Sequence, residues 1–382
     1  MNLGVSAEQR ELRNSVRRFL AERAPLTRVR ELMETADGID PDVWRQASTQ
    51  LGLPGIAVPE EYGGAGFSFA EQAIVLEELG AALFTGPYLA SAVLAATALL
   101  ASDDEEARKD LLPGIAAGET VATLAFTEDG GSWDPASIRL AATPDDTGWR
   151  LDGHKSFVLD GHTADLILAV AAAGTDGKLS LFAVNAVNAV NAVDAGAIGL
   201  TRHALPTLDQ TRKLARMAFD GTPARLVGEP GAALAVLDRT LDVAAIALAA
   251  EQLGGAQRAL DMAVAYAKVR QQFGRPIGSF QAIKHRCADL LLEVESLRSA
   301  VGYAAAAVAA GSTEVPVLAP LLKAYASEVY SHVAGENIQI HGGIGFTWEH
   351  DAHLYLKRAK ASELFLGDAS YHRDRLATRI GL

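Results

Sequence analysis

Apolar residues recur at three- and four-residue steps from Ser6 to Ala24, at Leu12, Val16, Phe19 and Leu20, which predicts a helix with one buried stripe that Pro25 ends. Helices are predicted again over about 40–50, 68–83, 87–101 and 103–117, with Ser68, Pro87 and Ser102 as start signals. The stretch GIAVPEEYGGAGF at 55–67 is too rich in glycine and proline to be regular. From about 121 the period falls to two. TLAFTEDGG, IRLAAT, GWRLDGHKSFVLDG, LILAVAA, LSLFAVN, RKLARMAFDG and ARLVG are short alternating runs between Gly, Asp and Pro clusters, the pattern of a small antiparallel β unit. The triplet repeat NAVNAVNAV at 185–193 is too short for a solenoid and reads as a connection. After Gly231 the helical period returns, with a helix of about 38 residues ending at RQQFG, two more over about 279–311 and 314–341, and a shorter one carrying EHDAHLYLKRAKASELFL. The predicted protein is mainly α with a central β domain. Its expected parts are an N-terminal helical domain (1–120), a middle β domain (121–230) and a C-terminal helical domain (231–382) packed as a four-helix bundle.

Composition narrows the functions this architecture can serve. At 49% hydrophobic against 21% charged, the 382 residues hold ample apolar surface for folded cores. The net charge of -13 argues against a partner read through its phosphates, so no nucleic acid is expected. Cys287, the single cysteine, cannot pair within the chain and reads as a small core residue. The N-terminal stretch mixes acidic with basic residues and lacks a signal-type apolar core. The apolar runs at 89–101 and 241–250 fall short of the ~20 residues a membrane span needs. A soluble cytoplasmic protein is expected.

Candidate chemistry centres on RQQFGRPIGSFQAIKH at 270–285. Arg270 and Phe273 lie about a turn apart, so a guanidinium and a ring would project from nearly one helix face and suit a planar, phosphorylated ligand. The plain alternative is a helix hairpin with a surface arginine. This segment resembles the Arg-x-x-Phe-Gly-[Lys/Arg]-Pro corner of flavin-dependent acyl-CoA dehydrogenases. IQIHGGIGFTWEHDAHLYLKRAK at 338–360 and GLPGIAVPEEYGGAGFSFAEQAIVLEELG at 52–80 are similar to further signatures of that family, in the same order.

The resemblance implies the acyl-CoA dehydrogenase fold and the α,β-dehydrogenation of an acyl-CoA thioester, with hydride transfer to FAD and delivery of electrons to an electron-transfer flavoprotein. It puts Arg270, Phe273 and Gln281 against FAD bound mainly by another subunit, and Gln339, Gly342 and Gly343 on the adenine and pyrophosphate side. In AFTEDGGS (125–132), Phe126 and Thr127 correspond to the flavin-edge strand, Thr127 facing the flavin and Ser132 the substrate. In GHKSFVLDG (153–161), Phe157 keeps the aromatic that covers the flavin. Leu159 replaces a hydroxyl residue, and Asp160 an asparagine.

The catalytic base departs from the family pattern. The two placements known in the family fall on Leu366 and Ala244, neither a carboxylate. The substitutes are Asp368, two residues from the first, and Glu251, seven residues beyond the second and on nearly the same helix face. Asp242 is turned about 200° away. A solvated or ion-paired carboxylate is the plain alternative for either substitute. His350 and His353 sit one turn apart, yet their stretch matches a flavin-family signature that binds no metal, and none is expected.

Leu366, Ala244 and Leu159 depart together while the residues serving a neighbour's flavin stay intact. Similar asymmetry marks the heteromeric acyl-CoA dehydrogenases of actinobacterial steroid catabolism, so the chain is expected to work beside a related second chain. Alternatives are a homo-oligomer using Asp368 or Glu251, a non-catalytic partner that completes another chain's FAD site, and a DNA-associated relative, which the acidic charge disfavours.

Overall fold

The computed structural model describes residues 6–146, 148–174, 177–186 and 198–382. Most of the NAVNAVNAV repeat therefore lies outside the described residues. Contacts divide the chain into two compact units, one of residues 1–30, 68–84 and 245–382, the other of residues 31–67 and 85–244.

Local capping explains where the first helices begin. α1 (Ala7–Arg23) opens on a capping box between Ser6 and Gln9 and buries Val16, Phe19 and Leu20, three members of the predicted stripe. Pro25 begins a further helix as well as ending the first: α2 (Leu26–Met33) follows at once, the Pro25 carbonyl accepting from the amides of Arg28 and Val29. α3 (Pro41–Leu51) is capped by Asp40 and closed by Gly52 in the left-handed conformation. α4 (Phe69–Ala81) carries a second capping box, Ser68 with Glu71. A π-helical run, Leu89–Ala95, passes into α5 (Ala96–Ala101). α6 (Glu105–Ala116) starts two residues later than predicted, because Asp104 accepts from the Ala107 amide. The Ser102 hydroxyl is spent on the Leu99 carbonyl behind it.

The β unit comprises β1 (Ala122–Ala125), β2 (Ala141–Asp145), β3 (Gly148–Leu159), β4 (Leu166–Ala173), β5 (Lys178–Asn185), β6 (Leu200–Leu205) and β7 (Leu214–Val227). Five of them, β4, β2, β3, β7 and β5, pair in a closed ring, with β1 beside β4 and β6 beside β7. The sheet is mixed, which corrects the antiparallel expectation: β1 and β2 follow one another along the same edge of β4, both parallel to it. Alternation reveals which face a residue takes, not the direction of the neighbour. RKLARMAFDG and ARLVG, expected as two runs, form the single 14-residue β7, with an irregularity at Asp220–Gly221. Leu151, Ile167, Phe182, Met217 and Phe219 fill the core of this unit.

The remaining helices are α7 (Ala233–Val269), α8 (Gln281–Ala309), α9 (Val315–His341), α10 (Ala352–Leu364) and α11 (Ala369–Ile380), with a two-stranded hairpin, β8 (Gln271–Gln272) and β9 (Arg275–Pro276), between α7 and α8. α8, α10 and α11 all pack on α9, and α4 packs on α8. α4 also crosses α7 at contact distance: a Cβ at Gly254 would lie 1.8 Å from the Glu77 carbonyl oxygen, and one at Gly80 2.0 Å from that of Glu251. Among the described residues no helix is long and apolar enough to cross a membrane.

Candidate functional site

Within the β unit, the segment following β1 is tied side by side to the end of β3. The Ser156 amide donates to the Thr127 carbonyl at 3.0 Å, and the Thr127 hydroxyl donates back to the Ser156 carbonyl at 2.5 Å. Thr127 thus turns its hydroxyl into the sheet. Leu159 is buried, its carbonyl taking the Thr123 hydroxyl, while Phe126 is buried against the Trp133 ring. Phe157 lies in a bulge with φ 58°, a left-handed conformation that costs a non-glycine residue about 1–3 kcal/mol. Phe157 is 37% exposed, and a Cβ added at Gly131 would stand 3.5 Å from its ring.

Charged residues frame this edge. Lys155 is fully buried, and burial pushes its amine down to about 8 against the opposing pull of Glu128. Asp129 accepts both Nε and Nη2 of Arg216, and also the Ser156 hydroxyl, which together hold its carboxyl far below the usual range. Ser132 lines a cavity of about 300 Å³ beside Gly130, Arg139 and His154.

The helical unit presents the second group. α7 ends at Val269, so Arg270 and Phe273 do not share a helix face. Phe273 (φ 53°) and Gly274 (φ 77°) form the tip of the β8–β9 hairpin, the left-handed pair that a tight two-residue hairpin requires. This corrects the helical spacing inferred from the sequence, whose pattern continues through Phe273 without a breaker before Gly274. Phe273 is 91% exposed and meets Phe280 edge-on, while Arg275 stacks on Phe280. Arg270, Gln281, Gln339, Gly342 and Gly343 are also exposed. Gly342 ends α9 at φ 64°, ψ -143°, a combination open essentially to glycine alone. A side chain at Gly342 or Gly343 would meet nothing within 4 Å, so their backbone is open to a ligand. An exposed guanidinium, an exposed ring and open glycine amides fit a phosphorylated flavin.

Both candidate bases have structural partners. Glu251 is buried and receives Arg358 Nη1 at 2.6 Å. Asp368 is exposed and caps α11, accepting the Tyr371 amide at 2.8 Å. Leu366 is buried in the left-handed conformation, φ 62°. Its carbonyl accepts from His372 Nε2 at 3.0 Å, and the next carbonyl, Gly367, from the buried Lys323 at 3.0 Å. Ala244 is buried. Sequence reasoning missed Arg358 as the partner of Glu251; its one signal was the KRAK segment, which places no contact.

The other singled-out residues have local partners. His350 Nδ1 accepts from the Ala352 amide, and His353 lies against Trp348. Burial, with Arg30 nearby, pushes His353 down to about 4. No group of three or more potential metal ligands occurs among the described residues. Cys287 is half-buried against a small cluster of Ala263, Ala267 and Ile340, and burial raises its thiol.

Sequence models of the acyl-CoA dehydrogenase N-terminal, middle and C-terminal domains match residues 6–119, 123–212 and 233–381. The chain therefore belongs to the acyl-CoA dehydrogenase family, FAD-dependent oxidoreductases that introduce a double bond between Cα and Cβ of an acyl thioester. It is 36% identical to the acyl-CoA dehydrogenase IpdE2 of Mycolicibacterium smegmatis over 98% of this chain and 100% of that one. Among solved structures, a Tcur3481-Tcur3483 steroid ACAD variant superposes with a TM-score of 0.86 at 34% identity, covering 99% of each chain. The ChsE4-ChsE5 complex of Mycobacterium tuberculosis superposes with a TM-score of 0.88 at 29% identity, covering 100% of this chain and 99% of that one.

Proposed function

We propose that this chain is one subunit of a heteromeric acyl-CoA dehydrogenase and that a related companion chain supplies the catalytic carboxylate. The observation that carries this reading is the engagement of both available carboxylates, Glu251 by Arg358 and Asp368 by the amide it caps. Neither family position, Leu366 nor Ala244, has a carboxylate to offer.

FAD supplies the hydride acceptor, so what remains for the protein is to orient the acyl chain, polarise the thioester and hold a base. In this chain Arg270, Phe273 and Gln281 serve a neighbour's flavin, with Gln339, Gly342 and Gly343 on the adenine and pyrophosphate side. Phe126, Thr127, Phe157 and Leu159 form the flavin edge of its own β unit. Ser132, at the rim of its cavity, takes the acyl-CoA. An electron-transfer flavoprotein is the electron acceptor, and the assembly is cytoplasmic. Likeness to a steroid acyl-CoA dehydrogenase and to a two-chain complex supports a bulky, steroid-derived acyl group and a two-chain assembly.

Asp368→Asn is the direct test, because asparagine caps a helix as well as aspartate does. In the assembled enzyme, turnover of acyl-CoA is expected within about twofold of wild type, a free-energy change of only about 0.4 kcal/mol. Loss of turnover with flavin retained would make Asp368 the base and overturn the proposal.

A further inference from the structure

We propose that Lys155 is the positioning residue that sets the flavin-facing edge of the β unit; this deepens the FAD reading above and rests on it. Lys155 is 0% exposed, and its Nζ donates to the Phe126 carbonyl at 3.0 Å and to Glu128 Oε1 at 2.9 Å. The same Glu128 oxygen accepts the amides of Arg139 at 2.8 Å and Leu140 at 2.7 Å. One ammonium and one carboxylate oxygen thus join the end of β1, the entry to β2 and the middle of β3.

Two consequences follow for the edge. Carbonyl and amide of a trans peptide point in opposite directions, so drawing the Phe126 carbonyl inward to Lys155 turns the Thr127 amide outward. β3 also leaves regular register immediately after Lys155: Lys155 faces Met217 but Val158 faces Ala215, one residue more on β3 than on β7. Phe157 sits in that bulge with φ 58°. A left-handed phenylalanine persists only where both flanks are fixed. Lys155 fixes one flank, and the Asp160 amide, donating to the Lys213 carbonyl at 3.0 Å, fixes the other. Releasing the first lets the strand return to regular pleat, which moves the Phe157 ring to a different face.

The test compares wild type, Lys155→Met and Glu128→Gln by amide hydrogen exchange without flavin and, in the assembly with the companion chain, by FAD titration read from the visible absorbance band. Lys155→Met should exchange about tenfold faster at residues 126–129 and 155–158, with the α9 amides unchanged. It should bind FAD about tenfold more weakly, with a displaced visible band. Glu128→Gln, whose amide oxygen still accepts from Arg139 and Leu140, should show the same changes at about threefold. A folded Lys155→Met with wild-type exchange and wild-type flavin band overturns the proposal. If Lys155→Met does not fold, unchanged exchange at 126–129 in Glu128→Gln overturns it instead. Wild type that takes up no FAD even when assembled with its companion chain contradicts the cofactor reading, and the exchange measurement still decides the role of Lys155.

Discussion

Arg358 Nη1 lies 2.6 Å from Glu251 Oε1, and both side chains are buried in the helical unit. The pair joins α7 to α10 across 107 residues of sequence. A buried ion pair contributes little relative to an apolar pair, but removing one partner of such a pair costs about 3–5 kcal/mol. Glu251→Ala should therefore lower the free energy of unfolding, measured by urea titration, by that amount, whereas a surface change such as Glu11→Ala should leave it within about 0.5 kcal/mol.

That pair also marks where the sequence stops being informative. Helix starts were legible when the signal was local, as with Ser68 and Glu71, three residues apart. Ser102, the expected start signal, is instead engaged with the Leu99 carbonyl, and Asp104 caps the helix, a choice that depends on a contact to the preceding turn. The periods distinguished helix from strand, yet could not show that β1 and β2 run parallel to β4, since alternation carries no direction. Glu251 was visible as a carboxylate on the right helix face, but its partner could not be inferred from spacing. The Phe273 turn was hidden because Arg-Gln-Gln-Phe has no helix breaker, and hairpin pairing across Gly274 overrides local propensity.

Acid should destabilise the helical unit through His372. Burial, reinforced by the nearby Lys323, pushes its folded pKa down to about 3 from 6.5. A depressed histidine contributes stability above the unfolded value, and that contribution falls as pH drops from 6.5 toward 3, by up to ~1.4 kcal/mol per pH unit. Comparing urea midpoints at pH 7 and pH 5, His372→Gln should show a shallower decline than wild type; parallel declines would contradict the assignment.

Arg270 is exposed, so its loss should affect the ligand and not the fold. A charge-assisted hydrogen bond contributes about 1.5–3 kcal/mol, which corresponds to roughly a 10- to 150-fold loss of FAD affinity for Arg270→Ala in the assembled protein. The thermal midpoint of the flavin-free protein should not change. Equal FAD occupancy in the variant would remove Arg270 from the cofactor site.

Gly342 should tolerate no side chain, although space is available. Alanine meets no atom there, but φ 64° with ψ -143° strains any L-residue, at about 1–3 kcal/mol. Gly342→Ala should lower stability by that amount and weaken FAD binding, whereas Gly343→Ala, at which no positive φ occurs, should show the smaller loss of stability.

Flavin stoichiometry with turnover, measured on the chain purified alone and on the chain co-expressed with a related companion, tests the two-chain claim most directly. Alone, the chain should be flavin-poor and inert toward acyl-CoA; with its companion, the assembly should hold FAD and oxidise the thioester. One FAD per subunit and full acyl-CoA oxidation by the chain alone would contradict the claim.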